Sequence, residues 1–246
     1  MRRPLVCSIG CTDPTAAAGL TADLRVYQKA GVAGMSVVAG VTAQNQVKVI
    51  DVVAIAPATI RRQLECVWNQ ATPAAVRIGL LPNAAAARTV AAFLAGLARS
   101  PAVVLDPVLA STSGYRFVDE RTLQALRRLI PFATILTPNI AEAAELAGQA
   151  IETVADAERV ARMLARRGCA VLVKGGHLPG RQSIDVLASG DVIERFASAR
   201  IDTRLRGKGC MLAAAIAAGL ARGDGLRSAV ISGRRFVQTE LRQARV

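Results

Sequence analysis

AVVLDPV (residues 102–108) sets four aliphatic residues in a row and then stops on Asp106 and Pro107. A continuous apolar run of this length reads as a strand buried on both faces, as in a parallel sheet. Runs of the same kind recur as PLVCSIG (4–10), MSVVAGVT (35–42), AVRIGLL (75–81), ATILTPN (133–139) and AVLVKGG (170–176). Between them lie the helical stretches TADLRVYQKAG (21–31), APATIRRQLECVWNQ (56–70), NAAAARTVAAFLAGLARS (83–100), DERTLQALRRLI (119–130) and DAERVARMLARRG (156–168). Buried strands alternating with helices build βαβ units around a mainly parallel sheet with helices on both faces, a three-layer α/β architecture. Near the C-terminus, SIDVLAS (183–189) and DVIERFASARI (191–201) meet at the turn-forming Gly190-Asp191 and are expected to pair as an antiparallel hairpin. No internal repeat or linker interrupts the 246 residues, so one domain over 1–246 is expected.

Hydrophobic residues at 52% exclude a disordered chain, and aromatics at 3% leave the core to aliphatic packing. The formal net charge is +13, and much of it is arginine in IRRQLE (60–65), ALRRLI (125–130) and RMLARRG (162–168). Amphipathic helices with outward arginines account for that pattern. A nucleic-acid surface would also carry stacking aromatics or a recognisable module; neither is present, and no specific nucleic-acid partner is expected. The charge favours anionic small molecules. Five scattered cysteines with no C-x-x-C pair argue against a disulfide framework and a zinc site. With no signal-peptide pattern and no apolar run of bilayer length, a cytoplasmic protein without membrane contact is expected.

In open α/β sheets, ligands sit beyond the carboxyl ends of the strands. The small and polar residues gather there: Asp13, Thr42-Ala43-Gln44-Asn45, Asp106-Pro107, Thr137-Pro138-Asn139 and Lys174-Gly175-Gly176-His177. Each group also serves as an ordinary turn. Together they outline a rim. A further turn, Gly207-Lys208-Gly209-Cys210, precedes the helix-forming run MLAAAIAAGLA. Free N–H groups at a helix start favour an anion, and glycines let the backbone approach a phosphate. A thiol at that place is expected to have a lowered pKa and to accept a proton near neutral pH. A capped helix with an inward-packed cysteine is the plain alternative. The spacing is not that of a Walker A loop.

Taken together, TDPTAAAGLTADL, VTAQN, RIGLL, VVLDPV, TPNIAEAAEL, VLVKGGH and GKGCMLAAAIAAGLARG resemble, nearly end to end and in order, the hydroxymethylpyrimidine/phosphomethylpyrimidine kinases of thiamine biosynthesis, in the ribokinase-like superfamily. The resemblance implies an ATP- and Mg²⁺-dependent kinase, a homodimer, acting on a small pyrimidine. It implies that Gly207, Lys208, Gly209 and Cys210 form the anion hole, with Cys210 as base. Asp23 and Gln44 would hydrogen-bond the aminopyrimidine, with Leu80 and Val108 against its ring. Asn139 and Glu142 would organise Mg²⁺ through water, Lys174 would lie along the ATP phosphates, and Asp106 near metal and nucleotide. His177 is read as a loop residue.

The chain departs from the family inside these motifs. Cys11, Ala16 and Ala17 stand where A-G-[ST]-D-P-S-G-G-A-G carries glycines, and Thr21 replaces a usual Gln. Thr112 stands where A-K-S-G carries Lys. In the N-T-H-G-T-G-C-T motif, Arg206 replaces His and Lys208 replaces Thr. Lys208 either supplies a cation to the transferring phosphoryl group or fills the anion hole. These changes leave three readings open: a working pyrimidine kinase, a kinase of a related heterocycle such as a pyridoxal-type vitamin, and a non-catalytic pyrimidine-binding protein on the same fold.

Overall fold

The computed structural model describes residues 3–176, 178, 180–201 and 206–244. The chain runs β1 (Leu5–Thr12), α1 (Gly19–Lys29), β2 (Ala33–Gln44), β3 (Val49–Ala54), α2 (Pro57–Gln70), β4 (Ala75–Ile78), α3 (Ala84–Ala95), β5 (Ala102–Leu105) and α4 (Glu120–Arg127). It continues through β6 (Ile135–Leu136), α5 (Ile140–Ala147), α6 (Val154–Ala165), β7 (Ala170–Val173), β8 (Gln182–Ser189), β9 (Val192–Ala199), α7 (Lys208–Ala221) and α8 (Leu226–Gln243). Among the described residues the strands form one sheet in the order β3-β2-β1-β4-β5-β6-β7-β8-β9. β2, β1, β4, β5, β6 and β7 pair in parallel, while β3, β8 and β9 add antiparallel edges. The chain steps outward from β1 to β2 and then returns to β4 on the other side of β1. That reversal opens a crevice at the strand ends.

Period-two alternation sorts the side chains between two cores. Cys7, Ile9, Val76, Ile78, Val103 and Leu105 face α2 to α6, whereas Val6, Ala75 and Val104 face α1, α7 and α8. On the second face, Ser8 of β1 lies in register with Arg77 of β4, so an otherwise apolar layer carries two polar neighbours. α7 is apolar nearly all round, with nine buried positions between Leu212 and Ala221. A helix of that kind belongs inside, and it packs along α1, α8 and the sheet.

The expected three-layer fold is present, and so is the β8–β9 hairpin, turning at Gly190 with φ +57°. β5 and β6 end before Pro107 and Pro138, which have no N–H for the ladder. β4 and β7 likewise stop short of the expected 81 and 176. The trimmed residues become the loops that line the crevice. β3 was not expected: mostly exposed or half-buried, it lacks the continuous apolar pattern and forms instead as the second arm of a hairpin with β2. Asn45 closes that hairpin by accepting the N–H groups of Val47 and Lys48 on its side-chain oxygen. The expected outward arginines are exposed at Arg61 and Arg62 of α2, Arg162 of α6, Arg166 and Arg167 just after it, and Arg128 after α4, whereas Arg127 of α4 is half-buried. No described helix is long and apolar enough to cross a membrane.

Candidate active site

A cavity of about 900 Å³ opens at the carboxyl ends of the parallel strands. One half is walled by Cys11 and Thr12 at the end of β1, Thr42 and Gln44 of β2, Leu80 after β4 and Val108 after β5. The other half is walled by Asp185, Arg200, Ile201, Arg234, Val237 and Leu241, from β8 to α8. Gly207, Lys208, Gly209 and Cys210, with Asp106, Asn139, Glu142 and Lys174, also border it. The geometry thus gathers eleven of the twelve residues expected at the site. The twelfth is Asp23; His177, read as a loop residue, lies outside the described residues.

Asp23 stands apart from the other eleven. It is buried on α1 with 0% exposure, and the described cavity wall does not include it. It accepts a hydrogen bond from Ser8 Oγ at 2.8 Å, and Ser8 in turn meets Tyr27 Oη at 2.7 Å. Its other partner, Arg77 Nη1 at 3.3 Å, is what reaches the cavity. Arg77 Nη2 donates to Asp106 Oδ2 at 2.6 Å, and Lys174 Nζ donates to Asp106 Oδ1 at 2.8 Å. One connected chain runs Tyr27–Ser8–Asp23–Arg77–Asp106–Lys174 beneath the site. Gly79 makes room for it, since a Cβ there would lie 1.9 Å from Arg77 Nη1.

Burial dominates the protonation of these groups, as low-dielectric surroundings penalise charge. It lifts Asp23 to about 6 despite the opposing Arg77 charge and the Ser8 hydrogen bond. Burial also works against ionised Asp106, but Lys174 and Arg77 together hold it below the usual carboxylate range. Glu142 rises to about 7 through burial, offset in part by Lys174. The expected lowering of the Cys210 thiol is corrected: burial pushes it up to about 11, outweighing Arg77 and Lys174, with Asp106 and Asp23 adding to the rise. That direction favours the neutral thiol of Cys210 near pH 7.

Asn139 and Glu142 form a capping box at the start of α5. Asn139 Oδ1 accepts the Glu142 N–H at 2.9 Å, and Glu142 Oε2 accepts the Asn139 N–H at 2.8 Å. At α7, Gly207 takes φ +72°, which leaves the N–H groups of Lys208, Gly209 and Cys210 at the open helix start. Lys174 lies against this turn, because a Cβ on Gly209 would stand 3.0 Å from its Nζ. The loop after β1 buttresses the turn from behind. A Cβ on Gly207 would come within 2.0 Å of the Ala17 carbonyl, and Asp13 ties the loop by accepting the N–H groups of Thr15 and Ala18, both at 2.9 Å. Ala16 has φ +55°, a left-handed conformation that suits glycine. The loop holds its shape despite the replacement.

Oxygen donors, several waters and few protein ligands are what Mg²⁺ takes. Both Asp106 oxygens are already engaged by cations, and the described residues include no cluster of three metal-ligating side chains. Glu142, Asn139 and Asp106 border the cavity with the oxygen donors that a hydrated Mg²⁺ takes.

Sequence reasoning did not single out Arg77. An arginine inside the buried strand AVRI was itself the available signal, since a charge there demands a partner.

The family model described as phosphomethylpyrimidine kinase matches residues 13–245. A hydroxymethylpyrimidine/phosphomethylpyrimidine kinase of Rhizobium meliloti is 38% identical over 242 residues, covering 96% of this chain and 90% of that protein. A bifunctional thiamine biosynthetic enzyme of Arabidopsis thaliana is 41% identical, covering 97% of this chain and 46% of that longer protein. The crystal structure of phosphomethylpyrimidine kinase from Clostridium difficile superposes with a TM-score of 0.87 at 32% identity, covering 97% of this chain and 100% of that one. A Staphylococcus aureus pyridoxal kinase in complex with AMP-PCP and pyridoxal gives 0.86 at 26% identity, covering 97% of this chain and 87% of that one. With its strand-end loops and α7 turn gathered on one cavity, this chain belongs to the phosphomethylpyrimidine kinase family of phosphotransferases.

Proposed function

We propose that this protein transfers the γ-phosphoryl group of ATP to hydroxymethylpyrimidine, to its monophosphate, or to both in turn. The observation that carries the reading is the single cavity whose two halves meet at the α7 turn and Lys174. Gln44, Leu80 and Val108 hold the pyrimidine, with the Gln44 amide matching ring nitrogen and amino group and the two apolar side chains covering the ring. The half between β8 and α8 takes the nucleotide, its phosphates running along Lys174 toward the N–H groups of residues 208–210. The acceptor oxygen attacks the γ-phosphorus as the bond to the β–γ bridging oxygen breaks. When the acceptor is the alcohol, its proton passes to Cys210.

Because Cys210 rests as a thiol near 11, it works as a base only from its small thiolate fraction. Phosphoryl transfer asks little of a base and much of positioned positive charge. The helix start, Lys174 and Arg77 supply that charge without reorganisation. Glu142, Asn139 and Asp106 would hold Mg²⁺ through water, and the ion would supply charge that neutralises phosphate oxygens.

The reaction belongs to the cytoplasm in this reading, in keeping with five free thiols. A homodimer is the proposed assembly. Val41 and Val53 face each other in register on the β2–β3 hairpin and are 46% and 56% exposed, an apolar edge that suits a second copy. Sedimentation at micromolar concentration decides it, and a monomer would remove the proposal.

The deciding assay measures ADP formed with ATP and Mg²⁺ from hydroxymethylpyrimidine and from its monophosphate, with pyridoxal as comparison. Turnover on a pyrimidine supports the reading, and turnover on pyridoxal alone replaces it. If no acceptor reacts while the pyrimidine still raises the melting temperature, the site binds without chemistry.

A further inference from the structure

β7 ends at Val173, where its ladder to β8 pairs Val173 with Val186. Carried further, that register would set Lys174 against Asp185 and Gly175 against Ile184. The ladder stops instead, and two hydrogen bonds hold the chain beyond it. The Lys174 N–H donates to the Pro138 carbonyl at 2.8 Å, and the Gly175 N–H donates to Asp185 Oδ1 at 2.9 Å. Gly175 lies so close to β8 that a Cβ there would stand 1.7 Å from the Ile184 carbonyl oxygen. A carboxylate thus takes the N–H that the strand pairing leaves over, directly after Lys174.

The second oxygen of Asp185 is committed too. Oδ2 accepts from Arg234 Nε at 2.8 Å, tying β8 to α8. Arg234 Nη2 donates to the Phe196 carbonyl of β9 at 2.7 Å, and its guanidinium lies 5.3 Å from the centre of the Phe196 ring. A planar fork holds both acceptors in fixed geometry, which an ammonium does not. The Asp185 and Arg234 side chains are each only 12% exposed. A buried ion pair adds little to stability over apolar packing, so the fold alone does not account for it. What it fixes is the peptide of Gly175.

That peptide sets the place of Lys174. The lysine stem has four flexible carbons, so its ammonium is placed only as well as the backbone that carries it. Here the ammonium must meet Asp106 Oδ1 at 2.8 Å while lying against Gly209 of the α7 turn.

We propose that Asp185, itself held by Arg234, is a positioning residue for phosphoryl transfer, fixing the backbone at Lys174-Gly175 so that the Lys174 ammonium stays between Asp106 and the α7 turn. The inference rests on the kinase reading above, in which Lys174 lies along the nucleotide phosphates. Asp185 acts through Lys174 rather than on either substrate, and a misplacement of about 1 Å in such a group costs up to about 10²-fold in rate.

The test is a double-mutant cycle on the pyrimidine acceptor that turns over, built from Asp185→Ala, Lys174→Met and both together. Asp185→Ala is expected to lower kcat by about 10–10²-fold, with the acceptor KM moving by less than about threefold. In the Lys174→Met background the same change is expected to cost less than about threefold, because the group it positions is gone. Calorimetric binding of ATP without acceptor repeats the cycle independently of turnover. Each single variant should weaken ATP by about fivefold or more, and the pair no more than Lys174→Met alone. Asp185→Ala leaves Arg234 uncompensated, so Asp185→Ala combined with Arg234→Met guards against loss of the fold. That combination should unfold as cooperatively as the parent and show the same fall in kcat.

Equal factors lost from Asp185→Ala with and without Lys174 would overturn the proposal and make Asp185 an independent support of the fold. A raised KM for ATP with unchanged kcat would overturn it as well, placing Asp185 on the nucleotide itself. Parent-level kcat in the Asp185→Ala, Arg234→Met combination would remove the pair from the reaction. If the parent binds ATP but phosphorylates no acceptor, the kinase reading fails and the ATP-binding cycle alone decides this inference by the same coupling. A parent that binds no ATP ends both.

Discussion

Replacing Glu142 with Gln is expected to stabilise the protein above neutral pH while impairing its activity. The folded protein holds the Glu142 proton up to about pH 7, whereas an ordinary glutamate releases it near 4.5. Between those values the folded state binds more protons than the unfolded chain, so stability falls as pH rises through the window. Above it the full penalty is present, about 3 kcal/mol at pH 8, and roughly half remains at pH 5.5. Gln does not ionise and escapes this cost. It can still accept the Asn139 N–H, so the capping box survives with a loss of about 0.5–1 kcal/mol from the weaker neutral acceptor. The balance is a gain of roughly 2 kcal/mol at pH 8 and less than about 1 at pH 5.5. For a chain of this size, 2 kcal/mol raises Tm by about 4–8 °C. Thermal unfolding of parent and variant at both pH values reads the difference. An equal fall in Tm at the two pH values would refute the reasoning, because it would mean that the carboxylate is stabilised in place by Lys174 and the helix start.

Arg77→Met should cost about 3–5 kcal/mol in urea unfolding, leaving Asp23 without its cation, while Arg77→Lys should cost less but cannot bridge Asp23 and Asp106 together; a Met variant within 1 kcal/mol of the parent would show that the network adds little. Ala16→Gly removes a left-handed alanine and should raise stability by roughly 1 kcal/mol with KM values unchanged, unless the loop relaxes away from Gly207 and turnover drops. Cys210→Ala should reduce turnover on the alcohol by at least about 10²-fold while the pyrimidine still raises Tm, and equal activity would remove the thiol from the mechanism. In the same protein, iodoacetamide at pH 7.5 should label exposed Cys66 well before Cys210, as peptide mass spectrometry would report.

What the sequence made legible is what local pattern can encode. Apolar runs marked the buried strands, and Gly190-Asp191 marked a hairpin, because each signal lies within a few residues. β3 escaped because its residues are mostly exposed or half-buried and its order comes from pairing with β2. The strand-end residues were legible because a polar residue that stops an apolar strand falls at the crevice by construction. The Arg77 partner of Asp23 was not legible, because nothing near Asp23 in sequence tells that its face of α1 meets an arginine 54 residues away. The Cys210 thiol followed the same logic. The helix start that lowers a thiol is visible in the sequence, whereas the burial and the two carboxylates that raise it are assembled only by the fold. Contact across the sheet is the information that was missing.

The linked side chains from Tyr27 to Lys174 also bear on how such a chain can diverge. Asp23, Arg77 and Asp106 are each the counter-charge of another, so changing one strands a partner away from water. Any lineage crossing from this set to a different one must pass through an intermediate that is several kcal/mol less stable, a large share of what a folded domain has to spare. These positions are therefore expected to turn over together or not at all. Exposed Lys208 and Thr112 are bonded to no described side chain and can change without that penalty. The floor of the site is thus expected to change slowly and its lip quickly, so the lip is where differences in substrate among such kinases would most readily arise.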